Sequence, residues 1–149
     1  VLLNSNSHAD IPGRKVGRDS HLKMAKTRGI EAFIRQEYLP VYFCDPFCHN
    51  GEIVTEMAKQ LGVTTFDAQL KVLAERPDSL NILTSFDKPL LIVGAQNDRL
   101  CPPTHQRIMA KAAAHSELHL LSDCGHFAPL QAPTIIANLI KQWVNKYYA

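Results

Sequence analysis

Asp98 and His126 are the two side chains whose types and positions could do chemistry together. Asp98 stands in "GAQNDRLCPP" and His126 in "LLSDCGHFAPLQAP", and each follows an apolar run. A carboxylate that accepts the Nδ1–H of an imidazole fixes its tautomer and leaves Nε2 free to take a proton from a nucleophile. The chemistry on offer is general-base catalysis. Either residue alone has an ordinary structural use. Asp98 can cap the turn "QNDR" or the helix behind it, and His126 can bond to backbone. Their order, each after one of two consecutive apolar runs, favours the paired reading.

The other reactive side chains form weaker patterns. Cys44, Cys48 and His49 have a zinc-like local spacing but lack a second ligand pair at a matching distance. Four cysteines at irregular intervals do not make a secreted disulfide scaffold, and reduced, partly buried thiols are expected. Cys101 and Cys124 lie in the same two loops as Asp98 and His126 and are read as packing. His21, His49, His105, His115 and His119 have no partner pattern and are read as surface or core filler. No metal and no cofactor is called for.

The elements that must position Asp98 and His126 are legible as periodicity. Three apolar runs read as buried strands: "VLL" at 1–3, "PLLIVGA" at 89–95 and "ELHLL" at 117–121. The second has no alternation, which suits a parallel strand covered on both faces. Between the second and third lies "PPTHQRIMAKAAAH", a helix with Pro103 in its first turn and a stripe of Ile108, Met109 and Ala112. A strand–helix–strand unit makes the two strands parallel, with a right-handed connection. A closing helix follows, with Ile135, Ile136, Leu139, Ile140, Trp143, Val144 and Tyr147 on one face. Ligands of parallel sheets gather at the carboxyl ends of strands, and neighbouring strands lie about 4.8 Å apart. Two loops so placed bring Asp98 next to His126.

Residues 14–85 have another texture. "GIEAFIRQEYLPVYF", "GEIVTEMAKQLG" and "TTFDAQLKVLAERPD" read as short amphipathic helices broken by Gly and Pro. Gly62 is expected just past a helix end, with Thr64 or Thr65 as the next N-cap. The expected division is a core of residues 1–13 and 86–149 and a helical insertion of 14–85. Composition agrees with one globular chain: 149 residues, 46% apolar and 20% charged. A net charge of +2 gives no argument for nucleic acid or an anionic membrane as partner. No apolar run approaches the roughly 18 residues of a membrane span, and a cytoplasmic location is the default. No Gly-rich phosphate loop opens a helix, which disfavours nucleotide binding. Three strands are few for a sheet covered on both faces, and Val1 is not a start methionine. These features make a fragment the expected form, associated with its own N-terminal half or with a second copy.

Taken together, "DKPLLIVGAQNDRLCPP" and "HLLSDCGHFAPLQAPTIIANLIKQWV" resemble the C-terminal part of an α/β-hydrolase, over residues 87–144. The first resembles that family's acid-bearing strand, and the second its last strand, histidine loop and closing helix. "VLLNSNSHAD" resembles the preceding strand, and 14–85 the cap. The resemblance implies an α/β fold, about three parallel strands of the C-terminal half of the sheet, with an inserted helical cap. It implies Asp98 as triad acid and His126 as base in the hydrolysis of a small ester, lactone or thioester. Asp10 is the alternative acid, because some members carry it after the earlier strand. Some of the cap aromatics Phe33, Tyr38, Tyr42, Phe43, Phe47 and Phe66 would line an acyl pocket, and most would form cap core.

The family's nucleophile sits in a G-x-S-x-G elbow. None of Ser5, Ser7, Ser20, Ser79, Ser85, Ser116 and Ser122 stands in one. The nucleophile and oxyanion hole are therefore expected in a missing N-terminal part, and the chain alone is expected to be inactive. The rival reading is a binding or regulatory module that keeps the fold without a nucleophile.

Overall fold

The structure, a computed structural model, describes residues 1–148. From the amino end the elements are β1 (Leu2–Leu3), α1 (Pro12–Arg28), α2 (Ile30–Phe33), a π-helical turn at Ile34–Tyr38, α3 (Leu39–Tyr42), α4 (His49–Glu75) and α5 (Leu80–Thr84). They continue with β2 (Leu90–Ala95), α6 (Pro103–Ala112), β3 (Ser116–Leu121), α7 (Ala128–Gln131) and α8 (Pro133–Tyr148). The chain divides into two compact units. One holds Val1–Ser7, Val41–Cys44 and Ser79–Ala149, and the other His8–Pro40 and Asp45–Asp78. None of the described helices is long and apolar enough to cross a membrane.

The first unit is built on β2. Every residue of this strand is buried. Its neighbours are β1 and β3, both parallel to it, in the order β1-β2-β3. Leu2 faces Ile92 and Leu3 faces Val93, while Leu90 to Ala95 run against Ser116 to Leu121. Successive side chains leave a strand on opposite faces. Leu91, Val93 and Ala95 accordingly pack with Cys124, Ala128, Ile136 and Trp143, and Leu90 and Ile92 with Met109 and Ala113. A continuous apolar run is what a strand covered on both faces requires. Burying each of Leu91, Ile92 and Val93 stabilises the fold by about 1.5–3 kcal/mol.

The two covering helices turn differently from the stripes read in the sequence. On α6 the inner face is Gln106 and Met109, continued by Ala113 just past the helix end, whereas Ile108 is 39% exposed. On α8, Ile136 and Trp143 are buried and Leu139 and Ile140 pack against them. Ile135, Val144 and Tyr147 flank that stripe and are exposed. An apolar stripe read from sequence collects every apolar residue within about a third of the helix circumference. The sheet covers only its centre.

The second unit is helical. Its core includes Ala25, Phe33, Ile34, Leu39, Val54, Phe66 and Leu70. Phe33 lies 5.5 Å from Phe66 and 5.3 Å from Tyr38, centroid to centroid, so these rings are packing. Phe47, by contrast, is 90% exposed. His21 is not filler without a partner, since its Nδ1 lies 3.1 Å from the Tyr38 hydroxyl. Gly62 interrupts α4 at φ 73° and ψ 173°, a backbone that favours glycine. The helix resumes directly after it, so Thr64 and Thr65 lie inside a helical turn rather than at its cap. The 17-residue α1 has no counterpart among the sequence expectations, because "PGRKVGRDSHLKMAKTR" is too polar and glycine-rich to show a stripe.

Candidate active site

Three loops leave the carboxyl ends of the three parallel strands, and each delivers one polar side chain. Asn4 follows β1, Asp98 follows β2 and His126 follows β3. The Asp98 side chain is fully buried. Its Oδ1 accepts the backbone N–H of Leu100 at 2.9 Å and of Cys101 at 2.8 Å. Aspartate bonds of this kind to its own loop fix the carboxyl plane. The Oδ2 accepts the Asn4 side-chain amide at 3.0 Å.

His126 meets the same carboxylate. Its Nδ1 lies 3.0 Å from Oδ2 and 3.2 Å from Oδ1 of Asp98. An ionised carboxylate only accepts, so Nδ1 is the protonated nitrogen and Nε2 is the basic one. Burial alone pushes the Asp98 carboxyl up. The hydrogen bonds from His126, from the Cys101 amide and from Asn4 outweigh it, and the carboxyl sits below the usual range. Asp98 is therefore a carboxylate at neutral pH, as an orienting acid must be.

The imidazole is held on its other sides too. The Tyr42 ring stacks on it at 5.7 Å and 22°, and the Phe127 ring meets it edge-on at 5.5 Å and 84°. The backbone N–H of His126 donates to the Tyr42 carbonyl at 2.9 Å. Gly125 makes this approach possible. A Cβ there would stand 2.3 Å from the Tyr42 carbonyl oxygen. The Gly125 N–H donates to Gln131 Oε1 at 2.8 Å, and its carbonyl accepts the Asn4 amide at 3.2 Å.

The remaining candidates fall elsewhere. Asp10 accepts both Arg18 Nε at 2.7 Å and Arg18 Nη2 at 2.9 Å. These bonds hold its carboxyl below the usual range and use both oxygens. No serine hydroxyl among the described residues is hydrogen-bonded to His126, and the buried Ser7 hydroxyl has no partner among them. The Cys101 thiol accepts Asn6 Nδ2 at 3.2 Å. Its sulfur, an Asp98 oxygen and a His126 nitrogen all lie within 4.8 Å of one another. Metal coordination there competes with donors already in place, because Leu100, Cys101, Asn4 and His126 all bond the Asp98 carboxylate. Burial, and then the nearby Asp123 charge, push the Cys124 thiol up, so it stays protonated.

Sequence reasoning overlooked Asn4 as a neighbour of Asp98 and Tyr42 as a wall of His126. A signal existed for Asn4, which obeys the same carboxyl-end rule as the other two.

The family described as "alpha/beta hydrolase fold" matches residues 50–133, a span that includes Asp98 and His126. The chain belongs to the alpha/beta hydrolase fold family. Among solved structures it is similar to a thermophilic esterase from Thermogutta terrifontis, with a TM-score of 0.81 and 27% identity, over 99% of this chain and 56% of that one. It is also similar to MGS-M2, an alpha/beta hydrolase enzyme from a Medee basin deep-sea metagenome library. That TM-score is 0.75 at 23% identity, over 96% of this chain and 54% of that one. The enol-lactonase from Burkholderia xenovorans LB400 gives 0.77 at 17% identity, over 96% and 54%. At these lower identities the likeness is one of fold. No curated protein matches the chain. The alpha/beta-hydrolase chain described here spans just over half the length of these solved structures.

Proposed function

We propose that this chain carries the acid and base of a serine hydrolase and that the nucleophile comes from polypeptide outside it. The observation that carries the reading is the Asp98–His126 hydrogen bond, made between loops that follow adjacent parallel strands. In the proposed reaction a serine hydroxyl attacks the carbonyl carbon of the substrate. The Nε2 of His126 takes the hydroxyl proton, and Asp98 stabilises the imidazolium that forms. The proton passes to the leaving alkoxide or thiolate as the tetrahedral intermediate collapses to an acyl-enzyme. Water then attacks the ester with His126 again as base, and the acid product and the serine are released. A small carboxylic ester, lactone or thioester is the substrate class, supported by the esterase and the enol-lactonase among the structural neighbours. The absent G-x-S-x-G motif and the coverage of about half of those neighbours support a nucleophile on other polypeptide. In this reading that polypeptide pairs with the open side of β1.

The test uses the chain together with any coding sequence that precedes it in the gene. Intact mass spectrometry before and after a fluorophosphonate probe should put the label on a serine outside residues 1–149. Asp98→Asn should lower kcat on an activated ester on the order of 10⁴-fold, because the wrong imidazole tautomer is then favoured. A label inside this chain would overturn the reading, as would full turnover in the Asp98→Asn variant. A parent protein that takes no label and turns over no ester would return the fold to a binding role.

A further inference from the structure

Asn4 is a conspicuous choice of residue for its place. It is the one non-glycine residue among those described with a positive φ, at 44°. Its side chain is buried, and its Oδ1 has no hydrogen-bond partner among the described residues. Both features are unfavourable in a residue that only fills space. Glycine would relieve the first and remove the second. What the amide gains is a junction. The two hydrogens on Nδ2 go to Asp98 Oδ2 at 3.0 Å and to the Gly125 carbonyl at 3.2 Å. One amino group thus ties the loop after β2 to the loop after β3, on the two sides of the Asp98–His126 bond.

The backbone holds this amide in place from two directions. The Asn4 N–H donates to the Val93 carbonyl at 2.8 Å and so continues the β1–β2 ladder. One residue further, the Ser5 carbonyl accepts Gln106 Nε2 at 2.6 Å, and the same nitrogen reaches the Cys101 carbonyl at 3.1 Å. The buried Gln106 therefore clasps the loop after β1 to the loop that carries Asp98.

We propose that Asn4 is a positioning residue for the Asp98–His126 pair, fixing the carboxylate plane and the histidine loop at once through its two amide hydrogens. The proposal rests on the hydrolase reading only for its kinetic consequence. The geometric consequence stands by itself. Among the described residues, the His126 imidazole and the Cys101 thiol lie within 4.8 Å of the Asp98 carboxylate.

The experiment compares wild type with Asn4→Gly and Asn4→Asp. Glycine accepts the positive φ and removes the amide. Aspartate has nearly the same size, tolerates the same backbone and cannot donate when ionised. Two readouts use the chain without any substrate: the ¹³C titration of the Asp98 carboxyl and the His126 Nδ1–H proton resonance. Both variants should raise the Asp98 midpoint, aspartate more than glycine, and should shift or broaden the Nδ1–H signal. In the parent protein kcat should fall roughly ten- to hundredfold with KM little changed, the loss expected for one hydrogen bond to a charged group. An Asp98 midpoint and an Nδ1–H resonance that match wild type in either folded variant would overturn the proposal. If the parent protein hydrolyses nothing, the hydrolase reading falls while the two spectroscopic results still decide the role of Asn4.

Discussion

Gly125 carries no side chain, and its surroundings leave room for none. The nearest atom to a Cβ would be a backbone oxygen, Tyr42 O, which cannot swing aside as a side chain could. Gly125→Ala is expected to destabilise the chain by about 1–3 kcal/mol, the usual range for overpacking. It should also weaken the Asp98–His126 bond, because the same backbone step positions His126. Thermal unfolding reads the first effect and the Nδ1–H resonance the second. A variant with unchanged midpoint and unchanged resonance would show that the Tyr42 segment yields freely. At this scale the meeting of Asp98 and His126 was legible, since each follows its own strand by a short loop. Asn4 and Tyr42 were not. Asn4 follows its strand as they do, but its meeting with Asp98 is a contact across 94 residues. The stacking of Tyr42 on His126 is a long-range contact that no local pattern announces.

Among the elements, legibility followed burial. The three strands stand where their apolar runs stand, most plainly β2, because a strand buried on both faces admits little else, whereas β1 and β3 are half-buried. The helices α6 and α8 were legible as helices but not in their rotation, which the sheet decides. Thus Gln106, a polar residue, takes the inner face of α6 while Ile108 looks outward. The polar α1 gave no signal at all. Gly62 was legible as a break, and its positive φ explains why glycine stands there. Gly62→Ala is expected to cost about 1–2 kcal/mol although no atom lies within 4 Å of the added carbon, since the penalty is conformational. Gly17 supplies the opposite case. It lies inside α1 with equally open space, so Gly17→Ala should stabilise by about 0.5–1 kcal/mol. Urea unfolding of the two variants checks the contrast. Equal signs would refute the conformational account.

Across the whole molecule, the α/β class and the parallel order of β2 and β3 could be read from one strand–helix–strand unit. That β1 lies beside β2 could not, because 86 residues of other structure separate them in the chain. This separation gives the site a history in time. The Asp98–His126 contact closes a segment of only 28 residues, whereas the Asn4–Asp98 contact closes one of 94. By loop-closure entropy the longer closure is about 1 kcal/mol less favourable. Refolding should therefore join β2, α6 and β3 first and seat the amino-terminal strand last. Pulse-labelled hydrogen exchange can follow this, with the Gln96 amide, bonded to Leu121, gaining protection before the Asn4 amide, bonded to Val93. Simultaneous protection of the two would refute the order. If it holds, every newly folding chain passes through an interval in which the acid and the base have met but the amide that steadies them has not yet arrived.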